Sequence, residues 1–242
     1  LLRRRIDRRR VRGDRVTAIG IAGQPLSVIG RVDHEHLAAR GFSVECPTLP
    51  GHGTRPAELQ ATAWRDWYAG AEAALDRLVT RADRVAICGL SMGGLLALLL
   101  AARRADVRAV CALATPLALP AHVRAGVRMF KRWVPFVPKA RADIRDPGER
   151  ATRVGYNVFP LHATASLIDL QAEVRASLAE VKVPTLIVHS RRDHTAPYAS
   201  ARMLAARVPH ARLITLERSF HIITRDVERE AVAREVAAFL EE

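Results

Sequence analysis

A chain of 242 residues, 49% of them apolar, is long enough for one α/β domain with a large buried core. Its three cysteines, Cys46, Cys88 and Cys111, are odd in number and set in apolar segments, which argues against a disulfide framework and for a reducing, cytoplasmic setting. The formal charge of +13 is concentrated at the start, where eight arginines against Asp7 and Asp14 supply +6, and the rest lacks the aromatic interleaving of a nucleic-acid surface.

Residues 1–15 read as a basic, poorly ordered tail. The apolar run that follows is interrupted by Gly20, Gly23, Gln24 and Pro25, so it reads as a strand and loop rather than a signal peptide. From there short β-branched runs alternate with helix-period runs, the pattern of a mostly parallel, doubly wound α/β sheet. Strands are expected at 16–19, 42–46, 84–88, 107–113, 185–189 and 212–215. Helices are expected at 33–40, 63–80, 92–104, 197–207 and 226–240, the last with an apolar stripe of Val227, Val232, Val236 and Phe239. The longest strongly apolar stretch, 93–102, is far shorter than the roughly 20 residues that cross a bilayer, so no stable membrane insertion is expected.

One region breaks the alternation. Residues 116–170 contain no strand-like run, but carry prolines at 116, 120, 135, 138, 147 and 160 and an apolar cluster of Met129, Phe130, Trp133, Phe136 and Val137. Lying between two strands, they read as a helical insertion over the carboxyl edge of the sheet, where α/β proteins bind ligands. The core is then 16–115 with 171–242, and 116–170 is a cap or lid.

Gly89-Leu90-Ser91-Met92-Gly93 places a serine between an apolar strand-like run and a leucine-rich helix-like one. A sharp strand-to-helix turn needs flanking glycines, because a Cβ would keep strand and helix apart. Such a turn presents the Ser91 hydroxyl at the sheet edge and aims the Met92 N–H at the point where an oxyanion would form. A serine hydroxyl becomes a nucleophile only when a base removes its proton, so a histidine oriented by a carboxylate is required. Asp193 follows the apolar run 185–189 in a loop, and His221 follows the run 212–215 in another, the order and placement that such a triad needs. Of the other histidines, His189 reads as a core residue within a strand, His194 as pointing away from the acid, and His52 as an edge of the pocket; His34 and His36, two apart, share no metal face. No metal site is expected.

The segments "PGHGTRPAEL" (50–59), "TAWRDWYAGAE" (62–72), "GLSMGGLLAL" (89–98), "DPGERATRVGYNVFP" (146–160), "RRDHTAP" (191–197) and "SFHIITRDVE" (219–228) run in the order found in the bacterial carboxylesterase and monoacylglycerol lipase branch of the α/β-hydrolases, which this chain resembles from about residue 41 onward. The resemblance implies the α/β-hydrolase fold, with Ser91 as nucleophile, Asp193 as acid and His221 as base. It further implies that 116–170 is the branch's small helical cap, which binds the acyl chain and gates the pocket. By the same resemblance the stretch from Ile19 to Pro25 stands where relatives carry an oxyanion loop, so that the Ile21 N–H becomes the second oxyanion donor beside Met92. Asn157 stands where glycerol-selecting relatives carry an acid.

These readings converge on a serine hydrolase of carboxylic esters of short to medium acyl chain, with monoacylglycerols among the candidates. It needs no cofactor. Met129, Phe130, Trp133, Phe136 and Asn157 are the candidate substrate contacts. The expected partner is a small-molecule ester rather than nucleic acid, and the chain is expected as a monomer or homodimer. The alternative is a weak or inactive hydrolase-fold protein that binds small hydrophobic ligands, motivated by Ile19, Ile21 and the arginine-rich start.

Overall fold

The computed structural model describes residues 17–22, 37, 40–139, 142–152 and 155–242. The basic tail and nearly all of the helix expected at 33–40, with His34 and His36, lie outside them.

Six strands form one parallel sheet in the order β2-β1-β3-β4-β7-β8. They are β1 (Thr17–Ala22), β2 (Ser43–Glu45), β3 (Val85–Leu90), β4 (Val107–Leu113), β7 (Thr185–Ser190) and β8 (Ala211–Leu216). The central strands are buried on both faces, as parallel strands under helices must be. Their side chains alternate accordingly. In β3, Val85 and Ile87 join the larger core with Trp64, Trp67, Leu75 and Leu95 to Leu100, whereas Ala86 and Leu90 join the second core with Cys111, Val188, Val236 and Phe239.

Helices cover both faces. The short α1 (Pro56–Gln60) starts on a proline, and α2 (Trp64–Val79) buries Trp64, Trp67, Ala71, Ala74, Leu75 and Leu78 at helical spacing; the Asp66 carboxylate accepts the Ala63 N–H at 2.8 Å at its start. Helix α3 (Met92–Arg103) is buried from Met92 to Ala101, which explains a sequence that is apolar all round. The last helices are α7 (Ala199–Arg207), on the face of the larger core, and α8 (Arg229–Glu241), on the opposite face.

Between β4 and β7 lie α4 (Ala121–Phe130), β5 (Phe136–Pro138), α5 (Pro147–Ala151), β6 (Val158–Pro160) and α6 (Leu161–Ser177). The insertion carries three helices and, where no strand-like run is expected, two short strands: β5 and β6 form an antiparallel ribbon pairing Phe136 with Pro160 and Pro138 with Val158. Three-residue strands bounded by proline carry no readable period, and proline is tolerated because a two-stranded ribbon has edges where its missing N–H is not needed. Helix α6 runs through residue 170, so the expected cap boundary falls inside it. The helix expected from Asp226 begins at Arg229, because Asp226 is engaged in the preceding loop.

Candidate active site

The site lies at the carboxyl edge of the sheet, where the loops after β3, β7 and β8 converge. Strand β3 ends at Leu90, and Ser91 turns directly into α3 with φ 56° and ψ −118°, a left-handed conformation that costs a non-glycine residue energy. The turn is held from the sheet side, where the Ser91 N–H donates to the Leu113 carbonyl of β4 at 2.8 Å. Its tightness explains the glycines. A Cβ on Gly89 would lie 2.1 Å from the Gly93 carbonyl oxygen, and one on Gly94 would lie 2.0 Å from the Thr115 Oγ1. The second requirement, at Gly94, falls outside the G-x-S-x-G pattern. Met92 is the first residue of α3, and an N–H at that position has no acceptor within its own helix.

His221 sits in the loop between β8 and α8, and the structure brings it against both expected partners. Its Nε2 is 3.0 Å from the Ser91 Oγ, and its Nδ1 is 2.8 Å from the Asp193 Oδ2. With the carboxylate as acceptor, Nδ1 carries the proton and Nε2 is left to accept the serine O–H. The imidazole is 5% exposed, so water competes little for either contact.

Asp193 stands in the loop after β7 with its side chain fully buried. Burial alone pushes its pKa up, but hydrogen bonds from His189 and His221 and from the Ala196 N–H outweigh this and hold the carboxyl well below the ordinary carboxylate range. Its other oxygen, Oδ1, accepts the N–H groups of Thr195 at 2.9 Å and Ala196 at 2.6 Å. The acid is therefore both ionised and immobile.

Two further carboxylates shape the histidine loop. Glu228 accepts the Arg218 and Ser219 N–H groups at 3.0 and 2.7 Å and the Ser219 hydroxyl at 2.8 Å. Asp226, fully buried, accepts the Phe220 N–H at 2.6 Å and reaches across to the insertion, where it accepts the Arg145 and Asp146 N–H groups at 2.9 Å each. Asp143 makes a third support: its carbonyl accepts the N–H groups of His221 and Ile222, and its carboxylate accepts the His194 N–H at 3.0 Å and the Thr195 hydroxyl at 3.0 Å. His194 also donates from Nδ1 to Asp143 at 2.8 Å, turned away from the acid beside it. Sequence reasoning missed Asp143, Asp226 and Glu228. The signal available was a density of acids around two loop motifs, which does not say whose N–H groups they receive.

The other candidates are placed as follows. Ile21 lies in β1 opposite Gly89, one residue before the strand ends beside Leu90. Met129, Phe130, Trp133 and Phe136 are 57%, 47%, 73% and 36% exposed; α4, which carries the first two, buries Val127 against Leu161, Ala165 and Ile168 and turns its other face outward. Asn157 is exposed, and its carbonyl accepts the Lys139 N–H at 2.8 Å. His52 is buried: its Nδ1 donates to the Pro50 carbonyl at 3.0 Å, its ring packs edge-on against Trp67, and burial lowers its pKa. Among the described residues no three His, Cys, Asp or Glu side chains gather as a metal site, and no helix is long and apolar enough to cross a membrane.

The chain is similar over most of its length to known hydrolases. The thermostable monoacylglycerol lipase of Bacillus sp. (strain H-257) is 28% identical over 212 residues, covering 87% of this chain and 83% of the relative. The carboxylesterase of Bacillus subtilis (strain 168) is 28% identical over 241 residues, covering 95% and 93%. A solved structure from work on LipS and LipT, two metagenome-derived lipolytic enzymes, superposes with a TM-score of 0.88 at 28% identity, covering 95% of this chain and 94% of that one. Residues 29–228 match the Hydrolase_4 family, described as serine aminopeptidase, S33. The chain therefore belongs to that family and is an α/β-hydrolase.

Proposed function

We propose that this hydrolase, acting on ester bonds, cleaves uncharged carboxylic esters of short to medium acyl chain through Ser91, His221 and Asp193. The observation that carries the reading is the continuous contact from the Ser91 Oγ through the His221 imidazole to a buried, ionised carboxylate. His221 takes the serine proton as Oγ attacks the ester carbonyl, and Asp193 stabilises the imidazolium that forms. The Met92 N–H, and with it the Ile21 N–H, receive the oxyanion of the tetrahedral intermediate. Collapse releases the alcohol with the proton that His221 held, leaving an acyl-enzyme; water, deprotonated by the same histidine, then frees the acid.

Support for an ester, rather than another acyl derivative, comes from the relatives, which are named as a monoacylglycerol lipase, a carboxylesterase and lipolytic enzymes. Residues 116–170 act as the cap of the pocket, tied to the core by the Tyr156 hydroxyl, which accepts the Thr54 N–H and donates to the Gly51 carbonyl at 3.0 Å each.

The test is hydrolysis of p-nitrophenyl acetate, butyrate and octanoate, and of monooctanoylglycerol, by the wild type and Ser91→Ala. Turnover of the esters by the wild type alone is expected. Equal rates for the two proteins would reject the serine mechanism, and a preference for the glycerol ester would identify a monoacylglycerol lipase.

A further inference from the structure

His189 is the fifth residue of β7, four positions before Asp193, and its side chain has no exposed surface. Its Nε2 faces two acceptors at once, the Ala196 carbonyl at 2.9 Å and the Asp193 Oδ2 at 3.3 Å. Its Nδ1 is buried and, among the described residues, meets no partner. The asymmetry assigns the tautomer. Nε2 can stand against two oxygens only by carrying the proton, donating chiefly to the Ala196 carbonyl with Asp193 Oδ2 as the longer branch of a shared bond, and a second proton on Nδ1 would be a buried donor without an acceptor.

The oxygen that His189 approaches is the one that accepts from His221. The Asp193 carboxylate is thus saturated: Oδ1 holds two backbone N–H groups, and Oδ2 sits between two imidazoles. One imidazole leads to Ser91, and the other ends in the core.

We propose that His189 is a positioning residue of the hydrolytic site, donating through Nε2 to the Asp193 oxygen that receives His221 and so fixing that oxygen in line with the base. The inference rests on the serine mechanism proposed above and adds a fourth member to it. A buried carboxylate with one donor on Oδ2 can rotate or shift toward that donor, whereas opposed donors leave it one position. The same hydrogen bond draws charge from Oδ2, so its loss leaves a carboxylate that holds the His221 proton more tightly. The groups facing His189 are few. Besides Asp193 and the Ala196 carbonyl, the Tyr198 ring stands edge-on at 6.0 Å with its hydroxyl 2.5 Å from the Thr215 Oγ1, and the Arg191 guanidinium covers that ring from outside at 5.0 Å.

The experiment compares the full-length wild type with His189→Leu, which removes the donor, His189→Gln, whose amide N–H can still reach Asp193, and Ser91→Ala. Active sites are counted by titration with an organophosphonate, so that misfolded enzyme does not enter the rates. His189→Leu is expected to lower kcat for p-nitrophenyl butyrate about tenfold with KM nearly unchanged, and to move the acid limb of the kcat/KM profile to higher pH. His189→Gln recovers most of both. A His189→Leu enzyme with wild-type kcat and an unmoved acid limb would overturn the proposal, leaving His189 as packing alone. If that variant does not fold, 15N-histidine spectra of the wild type decide: a ring protonated on Nε2 and bare on Nδ1 supports the assignment, and a proton on Nδ1 overturns it. An active Ser91→Ala would sink the serine mechanism and this inference together, whereas an inactive Ser91→Ala beside a normal His189→Leu sinks this inference alone.

Discussion

The carbonyl of Asp143 accepts the backbone N–H of His221 at 3.1 Å, so the His221 loop is held in part by the insertion. The carboxylate of the same residue binds His194 and Thr195 in the acid loop. One residue therefore spans the two loops whose separation sets the Asp193 to His221 contact.

Replacing Asp143 by alanine leaves the carbonyl but removes the bonds to the acid loop. The expected result is a loss of about 0.5–1.5 kcal/mol of stability, since the His194 N–H and the Thr195 hydroxyl, on exposed residues, exchange a charged acceptor for water. A fall in kcat/KM should accompany it. Denaturant unfolding and ester kinetics on the same preparation check both, and a variant unchanged in each would remove Asp143 from the site's support.

Ser91 holds its strained φ of 56° at the turn between β3 and α3. Ser91→Gly relieves the strain and should raise stability by about 1 kcal/mol, or a Tm increase of roughly 2–4 °C, while ester hydrolysis falls by on the order of 10⁴-fold or more. Ser91→Ala loses the same activity without the same gain. Calorimetry on the three proteins separates them; equal Tm values for glycine and alanine would mean the backbone is not strained.

The two tight glycines differ in what they meet. At Gly94 the obstacle is the Thr115 side chain, at Gly89 it is backbone. Gly94→Ala should therefore destabilise by roughly 2–4 kcal/mol and be partly rescued by Thr115→Ala, a coupling that a double-mutant cycle reads directly. Gly89→Ala should cost at least as much and have no comparable rescue. A Gly89→Ala enzyme of normal stability would contradict the strand-to-helix packing described here.

Asp193 is held ionised below its ordinary range, which gives stability a defined pH dependence. A depressed carboxylate contributes stability that is present above its unfolded value of about 3.9 and is lost as pH falls through the folded value. The stability gap between wild type and Asp193→Asn should accordingly be flat from pH 7 to 5 and narrow on descending through pH 4. Urea unfolding at pH 7, 5 and 3.5 measures it. A gap that widens at low pH would mean that the carboxyl is not stabilised as an anion.

The order strand, glycine-flanked serine, helix was readable because each part is local. An apolar β-branched run, a turn that excludes Cβ atoms and a leucine-rich helix leave their marks within nineteen consecutive residues. Asp193 and His221 could be placed from the strands before them, which read as short apolar runs, the first fully buried and the second mostly half-buried. Gly94 was less visible, since its need for a bare Cα comes from Thr115 on another strand's end.

What the chain determined by itself is thus the parallel α/β frame and the three residues carried to one edge of it. The tertiary structure decided the rest: the pairing of β5 with β6, the outward face of Met129, Phe130 and Trp133, and the grip of Asp143, Asp226, Glu228 and His189 on the loops that carry Asp193 and His221. The reason is separation along the chain. Hydrogen bonds from Arg145 to Asp226 or from His194 to Asp143 join residues 81 and 51 positions apart, and no period or spacing records which buried N–H a given carboxylate will meet until the sheet has brought their loops together.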